Sequence, residues 1–112
     1  MNDNKALLKG STIMLVLNLL STSDMYGYQM IKELEKRSDS TFTLKEGTLY
    51  PILHELESKG MIKSYWEDTE STRKRKYYNI TTNGKKMLSQ KQKEWKVYSN
   101  AIDKVMGGEY VE

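Results

Sequence analysis

The side chains best suited to binding chemistry are a run of bases in the last third of the chain. The run begins with four consecutive cations, Arg73, Lys74, Arg75 and Lys76. Residues 1–72 carry a net charge of −3 and residues 73–112 one of +6, and no acid occurs between residues 73 and 93. Cations gathered on one face attract phosphate groups, although a run of charge can equally form a solvated surface that has no partner.

Residues that could carry catalysis or hold a metal are few. The chain has no cysteine and a single histidine, His54, which excludes the common zinc sites and the usual pairs of a nucleophile with histidine. Glu55 and Glu57 are two residues apart and would point to different sides of a helix. The sequence therefore predicts a protein that is not an enzyme and has no cofactor or metal, and only a carboxylate cation site stays open.

The length and composition of the chain predict the number of domains, a second chain as partner, and the location of the protein. Its 112 residues are the length of one domain, and 38% apolar residues are few enough to suggest a core shared with a second chain. The apolar stretch from Ile13 is interrupted at Asn18, so neither a secretion signal nor a membrane span of about 20 residues fits. A soluble, cytoplasmic protein without membrane contact is expected.

Apolar residues at helical spacing predict three helices in the first half of the chain. The first covers residues 5–21, the second about 26–37, and the third begins between residues 46 and 48 and ends at Gly60, a residue suited to a left-handed terminus. The residues of the second helix expected to face inward are Tyr28, Ile31 and Leu34. Pro51 is tolerated only near the start of a helix, so residues 47–51 are placed at the amino-terminal end of the third helix, where phosphate is favoured.

After Gly60 the apolar period changes from that of a helix to that of a strand. Residues 61–66 and 74–80 predict a β-hairpin with a polar tip at 67–72. Tyr78 and Ile80 are expected to share the packed face, and Trp66 is predicted to belong to the core. Helices followed by a basic hairpin indicate a mainly α winged helix-turn-helix fold with a small β-hairpin.

The last predicted helix begins at Thr81 or Thr82, ends near Met106 and carries an apolar seam. Its apolar residues form two series with a spacing of seven, first Leu88, Trp95 and Ile102, and then Tyr98 and Val105. Such a seam is typical of a coiled coil, and three heptads are too few to be stable alone. We expect a homodimer; the alternative is a stripe folded back on its own domain. The predicted units are a winged helix-turn-helix domain (1–80), a dimerisation helix (81–106) and a tail (107–112).

Three motifs resemble those of the PadR family of bacterial transcriptional regulators. They are GTLYPILHELE at residues 47–57, KGMI at 59–62 and RKRKYYNIT at 73–81, and YGY at 26–28 fits the same pattern. The resemblance covers roughly residues 5–106, and the short last helix is similar to that of the compact, multidrug-sensing members. It implies a homodimeric repressor that binds a palindromic promoter site in double-stranded DNA and is released by a small, often aromatic ligand.

The resemblance also assigns candidate DNA contacts. Thr48 and Tyr50 match positions where family members meet DNA from the third helix, and residues 73–76 match the wing. The full candidate set is Gly47, Thr48, Tyr50, Pro51, His54, Arg73, Lys74, Arg75 and Lys76. On residue type alone Tyr50 could equally be a packing residue and His54 a surface residue. A winged-helix module that assembles proteins without binding DNA is the alternative.

A ligand site is implied at the seam between the two copies. Trp95 matches the tryptophan on which multidrug-sensing members stack planar compounds, and the residues expected around it are Met14, Asn18, Leu88, Ser99 and Ile102. Two positions depart from the family pattern. Lys45 stands where a capping Ser or Asn is common, and Ser99 stands where an acid usually meets cationic compounds.

Overall fold

The computed structural model describes residues 5–70 and 73–107, with side chains from residue 10 onward. Its elements in chain order are α1 (Lys5–Thr22), β1 (Met25–Tyr26), α2 (Gly27–Arg37), α3 (Glu46–Ser58), β2 (Ile62–Asp68), β3 (Lys74–Ile80) and α4 (Thr82–Val105). This order of helices and hairpin confirms the predicted fold class. Of the predicted tail, residues 108–112 lie outside the described residues, as do residues 71 and 72 of the hairpin tip.

The core lies between α1, α2, α3 and the sheet. The carboxy-terminal half of α1 forms its centre, with Val16 and Leu17 fully buried and Leu19 and Leu20 nearly so. Leu49, Ile52, Leu53 and Leu56 of α3 are buried against it at the predicted helical spacing. Asn18, the polar residue that interrupts this apolar stretch, is exposed.

The buried side of α2 agrees with the prediction at Leu34 and in part at Ile31, but not at Tyr28. The buried residues are Gly27, Met30 and Leu34. Tyr28 is 51% exposed, and the Lys32 amino group lies 5.5 Å from its ring centre. The prediction for Tyr28 was wrong because Gly27 and Met30 occupy the inner face together with Leu34. Tyr28 is thereby turned to the solvent side.

Both ends of α3 follow from local sequence. The helix begins at Glu46 as predicted, and within the described chain no side-chain hydrogen bond caps it at Lys45. Gly60 has a φ of +75°, and the Met61 amide donates to the Leu56 carbonyl at 2.9 Å. Glycine adopts this left-handed conformation without steric cost, so Gly60 ends the helix as predicted.

Within the described residues the sheet has three antiparallel strands in the order β1-β3-β2. Residue pairs Met25–Tyr78 and Tyr26–Tyr77 join β1 to β3, an addition that the hairpin prediction did not contain. Tyr78 and Ile80 are buried as predicted. Trp66 is 63% exposed, so its assignment to the core was wrong: it lies near the hairpin tip, beyond the helices that would have covered it.

Helix α4 packs against β3 and α1, and its side chains become more exposed towards its carboxy-terminal end. The Thr81 hydroxyl accepts a hydrogen bond from the Gly84 amide at 3.0 Å, which is the predicted cap. A Cβ atom on Gly84 would collide with the Met61 carbonyl oxygen, so glycine allows α4 to approach the hairpin. Leu88 is buried, but Trp95, Tyr98 and Ile102 are not. The 24-residue helix is about 36 Å long.

Candidate nucleic-acid interface

The solvent side of α3 carries the residues that the sequence selected. Side chains at positions 49, 52, 53 and 56 are buried, and the remaining surface of the helix faces outward. All five candidate contacts on this helix are exposed: Gly47, Thr48, Tyr50, Pro51 and His54. Pro51 has no amide proton to donate to the carbonyl of Gly47, so this turn of α3 lacks one of its regular hydrogen bonds at the exposed surface.

Tyr50 is held against the start of α2. A Cβ atom on Gly27 would lie 2.8 Å from both the Cε1 and the hydroxyl oxygen of Tyr50, so the ring covers a glycine that leaves room for it. Partial burial, together with the negative charge of Glu46, raises the pKa of Tyr50 above its usual value of 10. The hydroxyl is therefore neutral at physiological pH and can both donate and accept hydrogen bonds.

The basic run is divided between two faces of the wing, which we define as β2, β3 and their connection. Alternation along β3 puts Lys74 and Lys76 on one face and Arg75 on the other. The Arg75 guanidinium lies 4.4 Å from the Tyr26 ring centre, and the Lys76 amino group lies 5.7 Å from the Tyr78 ring centre. The four cations that are adjacent in sequence therefore do not form one patch.

Polar contacts tie the α3-facing side of the wing to α3. The Ser64 hydroxyl donates to Glu57 Oε2 at 2.6 Å, and Lys76 Nζ lies 4.0 Å from Glu57 Oε1. Burial, followed by the charges of Glu57 and Tyr50, raises the pKa of Tyr78. Tyr50 and Tyr78 are thus neighbours, and the exposed side of α3 continues into one face of the wing.

The opposite face of the wing is anchored to the connection between α1 and β1. Asp24 accepts hydrogen bonds from the Tyr65 hydroxyl at 2.7 Å and from Asn79 Nδ2 at 2.8 Å. The Tyr65 and Tyr77 rings are stacked at 5.8 Å, and Tyr77 meets the edge of Tyr26 at 5.4 Å. The hydrogen bond to Asp24 is the largest cause that raises the pKa of Tyr65 to about 12.

Comparison with known proteins decides the family. Residues 16–90 match the model of the transcriptional regulator PadR-like family. The chain belongs to this family. A transcriptional regulator from Clostridium thermocellum superposes with a TM-score of 0.81 and 37% identity, covering 88% of this chain and 96% of its own. A PadR family transcription regulator from hypervirulent Clostridium difficile gives a TM-score of 0.72 and 38% identity, covering 85% of this chain and 97% of its own.

A curated relative from Lysinibacillus sphaericus, itself uncharacterised, is 38% identical over 102 residues, which are 91% of this chain and 94% of the relative. PadR-like proteins are transcriptional regulators and not enzymes, which confirms that prediction. Across residues 5–70 and 73–107, no cluster of His, Cys, Asp or Glu has the arrangement of a metal site. In the same residues, no helix has both the length and the apolar character needed to cross a membrane.

A groove between α1 and α4 of this PadR-like regulator contains two of the predicted ligand contacts. Its volume is about 200 Å³. The residues that line it are Gly10, Ser11, Met14, Lys91, Glu94, Trp95 and Tyr98. Trp95 and Tyr98 present half-exposed rings whose centres lie 5.8 Å apart.

Four predicted ligand residues lie outside the groove wall. Leu88 is buried in the core, Asn18 and Ile102 are exposed elsewhere, and Ser99 is partly buried. Glu94 places a carboxylate on the groove wall and accepts a hydrogen bond from Gln90 at 3.3 Å. Glu94 directly precedes Trp95, and this adjacency was the available signal for an acid beside the tryptophan.

Proposed function

We propose that this PadR-like regulator is a homodimeric repressor that binds double-stranded DNA with α3 and the wing. The observation that carries the proposal is the continuous surface formed by the two elements. Its α3 part is exposed and free of core residues, and its wing part contains Lys74 and Lys76. In a winged helix-turn-helix protein an exposed helix of this kind enters the major groove.

The two parts of the surface would do different work. Thr48, Tyr50 and His54 offer hydroxyl and imidazole groups that can hydrogen bond to the edges of bases. Lys74 and Lys76 offer charge, which binds phosphate without reading sequence. The amino-terminal end of α3 adds a partial positive charge, which also favours phosphate.

Dimerisation through α4 is supported by the apolar residues that the protomer leaves in solvent. Trp95, Tyr98, Ile102 and Val105 are between 40% and 86% exposed, and they continue the predicted seam beyond the buried Leu88. The radius of gyration is 16.0 Å, whereas a compact chain of this length has about 13 Å. A second α4 packed along the seam would cover these side chains and compensate for the extended shape.

Release by a planar aromatic molecule is supported by the groove at Trp95. Ligand sites usually enclose about 300–1,000 Å³ and bury most of the ligand, so a groove of about 200 Å³ on one protomer needs a second wall. The partner of a dimer would supply it. A molecule held between Trp95 and the partner would alter the tilt between the two winged domains, and a preference of about 1–3 kcal/mol for the released form is enough for regulation.

Selection of bound duplexes from a random pool tests the DNA-binding proposal. A dimer with two copies of α3 should enrich an inverted repeat whose half-sites lie about 34–36 Å apart, one turn of duplex. Tyr50→Ala should change the enriched sequence. Lys74→Gln should weaken binding to all sequences to a similar extent. Absence of enrichment, together with affinity that does not depend on salt, would favour the alternative of a protein-assembly module.

A fluorescence titration tests the ligand proposal. A planar dye should quench Trp95 and weaken binding of the selected duplex in the wild type. Glu94→Gln should reduce affinity for a cationic dye more than for a neutral dye of the same shape, because the carboxylate acts through its charge. Equal affinities of the variant and the wild type for both dyes would remove Glu94 from the site. A cytoplasmic location, where the protein would meet DNA, is part of the same proposal.

A further inference from the structure

Trp66 is an exposed aromatic side chain on the wing that the fold does not use. It is 63% exposed, more than any other aromatic residue among the exposed apolar side chains of the described chain. In the sheet, Trp66 of β2 is paired with Lys76 of β3, and the Lys76 amino group lies 6.0 Å from the centre of the Trp66 ring. Lys76 does not cover the ring, so the outer surface of the indole is available for a contact.

The face of the wing on which Trp66 lies is fixed by alternation along β2. Ile62, Ser64 and Trp66 point to the same side of the sheet because residues two apart share a face. Ile62 is buried in the core, and Ser64 is hydrogen-bonded to Glu57 of α3. Trp66 therefore lies on the side of the sheet that faces α3, two residue pairs nearer than Ser64 to the tip of the wing.

Charge on this face favours a polyanion. Lys76 and Lys74 are the cross-strand partners of Trp66 and Asp68, and Arg73 follows at the turn. The acids nearby are Asp68 on the same face, Glu67 on the opposite face of β2, Glu70 in the connection, and Glu57, which is engaged with Ser64 and Lys76. A protein surface as a partner would be expected to match this apolar ring with a wider apolar patch, and its surroundings are instead polar and basic.

We propose that Trp66 is a DNA contact, packing its indole ring against the sugar–phosphate backbone beside the half-site that α3 enters. This inference rests on the proposed DNA-binding function and adds a residue to it. The apolar face of the ring would lie on deoxyribose, and the indole N–H, which is a donor only, would face a phosphate oxygen. Lys76 would neutralise phosphate charge next to the ring.

The two tryptophans of the chain allow a direct test in the intact protein. The wild type is produced with 5-fluorotryptophan, which gives one fluorine NMR signal for Trp66 and one for Trp95, assigned by the signal that is lost in Trp66→Phe. The selected duplex, or a mixed-sequence duplex of about 30 base pairs in dilute buffer, is then added. We expect the Trp66 signal to shift on binding. We also expect the duplex to protect this signal from broadening by a soluble paramagnetic agent.

Affinity measurements give an independent readout. Trp66→Ala should weaken binding of the selected duplex roughly tenfold, and Trp66→Phe, which keeps an aromatic ring but loses the donor, should weaken it less. Tyr65→Phe is the control on the opposite face of β2: it keeps the ring, and Asn79 still donates to Asp24, so the base of the wing stays attached. Its affinity for DNA should stay close to that of the wild type. The thermal midpoint of Trp66→Ala should also be unchanged, because the side chain is exposed.

The outcomes separate this inference from the function on which it rests. If the duplex binds in a mobility-shift assay while the Trp66 signal stays unchanged and Trp66→Ala binds as tightly as the wild type, the contact is refuted and DNA binding stands. If no duplex binds, both proposals fail together. If Tyr65→Phe weakens binding as much as Trp66→Ala, the effect belongs to the wing as a whole and the specific contact is refuted.

Discussion

One carboxylate determines how the base of the wing is attached to the rest of the molecule. Asp24 lies just before β1 and accepts hydrogen bonds from residues on both strands of the hairpin, Tyr65 on β2 and Asn79 on β3. Tyr65 and Asn79 follow Asp24 by 41 and 55 positions in the sequence. The bonds hold together parts of the chain that local propensity cannot position, and they lie on the side of the wing that faces away from α3.

The hydrogen bond between Tyr65 and Asp24 predicts an unusual titration. The folded-state pKa of Tyr65 is raised from 10 to about 12, because the phenol donates to a carboxylate and its ionised form would face a like charge. A raised pKa means that this contribution to stability is present below pH 10 and is lost as the pH rises through about 12. Carbon NMR of labelled tyrosine rings, with Tyr65 assigned through Tyr65→Phe, would follow the ionisation.

Substitution at Asp24 provides the control for this titration. In Asp24→Asn the charge is removed while the side chain keeps its shape, so the pKa of Tyr65 should move down towards 10. A wild-type Tyr65 that ionises near pH 10, or an unchanged value in Asp24→Asn, would show that the hydrogen bond is not maintained in solution.

At the scale of elements, the contact between α2 and α3 depends on a missing side chain. Tyr50 packs where a Cβ of Gly27 would be, so Gly27→Ala should push the tyrosine ring away from α2. Because Tyr50 is partly exposed and able to move, the free energy of unfolding should fall by only about 1 kcal/mol, the low end of the cost of overpacking. DNA binding should be affected more strongly, with an altered sequence preference similar to that of Tyr50→Ala.

A double-mutant comparison isolates this contact. In a Tyr50→Ala background the methyl group of Gly27→Ala has no ring to meet, so it should cause no further loss of stability or DNA affinity. Denaturant unfolding and duplex binding of the four variants supply the measurements. Additive effects of the two substitutions would mean that Gly27 and Tyr50 act independently.

Elements with a long periodic pattern were predictable from sequence, and elements defined by a distant contact were not. The helices α1, α3 and α4 and the hairpin strands repeat their apolar residues over several turns or pairs. Strand β1 has two residues, and it exists because β3 pairs with it. The positions of Tyr28 and Trp66 were missed for a related reason, since residue type predicts the tendency to be buried but not whether another element arrives to cover it.

In the candidate site, too, features set by local periodicity were predictable and features set by distant contacts were not. The exposure of Tyr50 and His54 followed from the spacing of the buried residues in α3. Residues of an amphipathic helix that lie outside its apolar stripe face the solvent. The separation of Arg75 from Lys74 and Lys76 required only the period of a strand. The lining of the groove at Trp95 depends on the crossing angle between α1 and α4. The sequence pattern of a single helix does not predict this angle.

At the scale of the whole molecule, the described chain is a compact winged domain with a helix that extends beyond it. Its principal extents are 56 × 28 × 26 Å, and α4 alone is about 36 Å long. An extended amphipathic helix exposes apolar surface that costs free energy in water. Pairing of two such helices would remove that cost and would also fix the distance between the two copies of α3.

Substitutions on two sides of α4 test the dimer. Ile102→Glu places a charge on the seam and should convert the dimer to a monomer, as measured by sedimentation equilibrium. Val97→Glu is the matched control: Val97 is 71% exposed but lies on the other side of the helix, five residues from Ile102, so this variant should remain dimeric. The thermal midpoint of the wild type should rise with protein concentration, and that of Ile102→Glu should not. A wild type that sediments as a monomer at all concentrations, or equal dissociation of both variants, would contradict pairing through this seam.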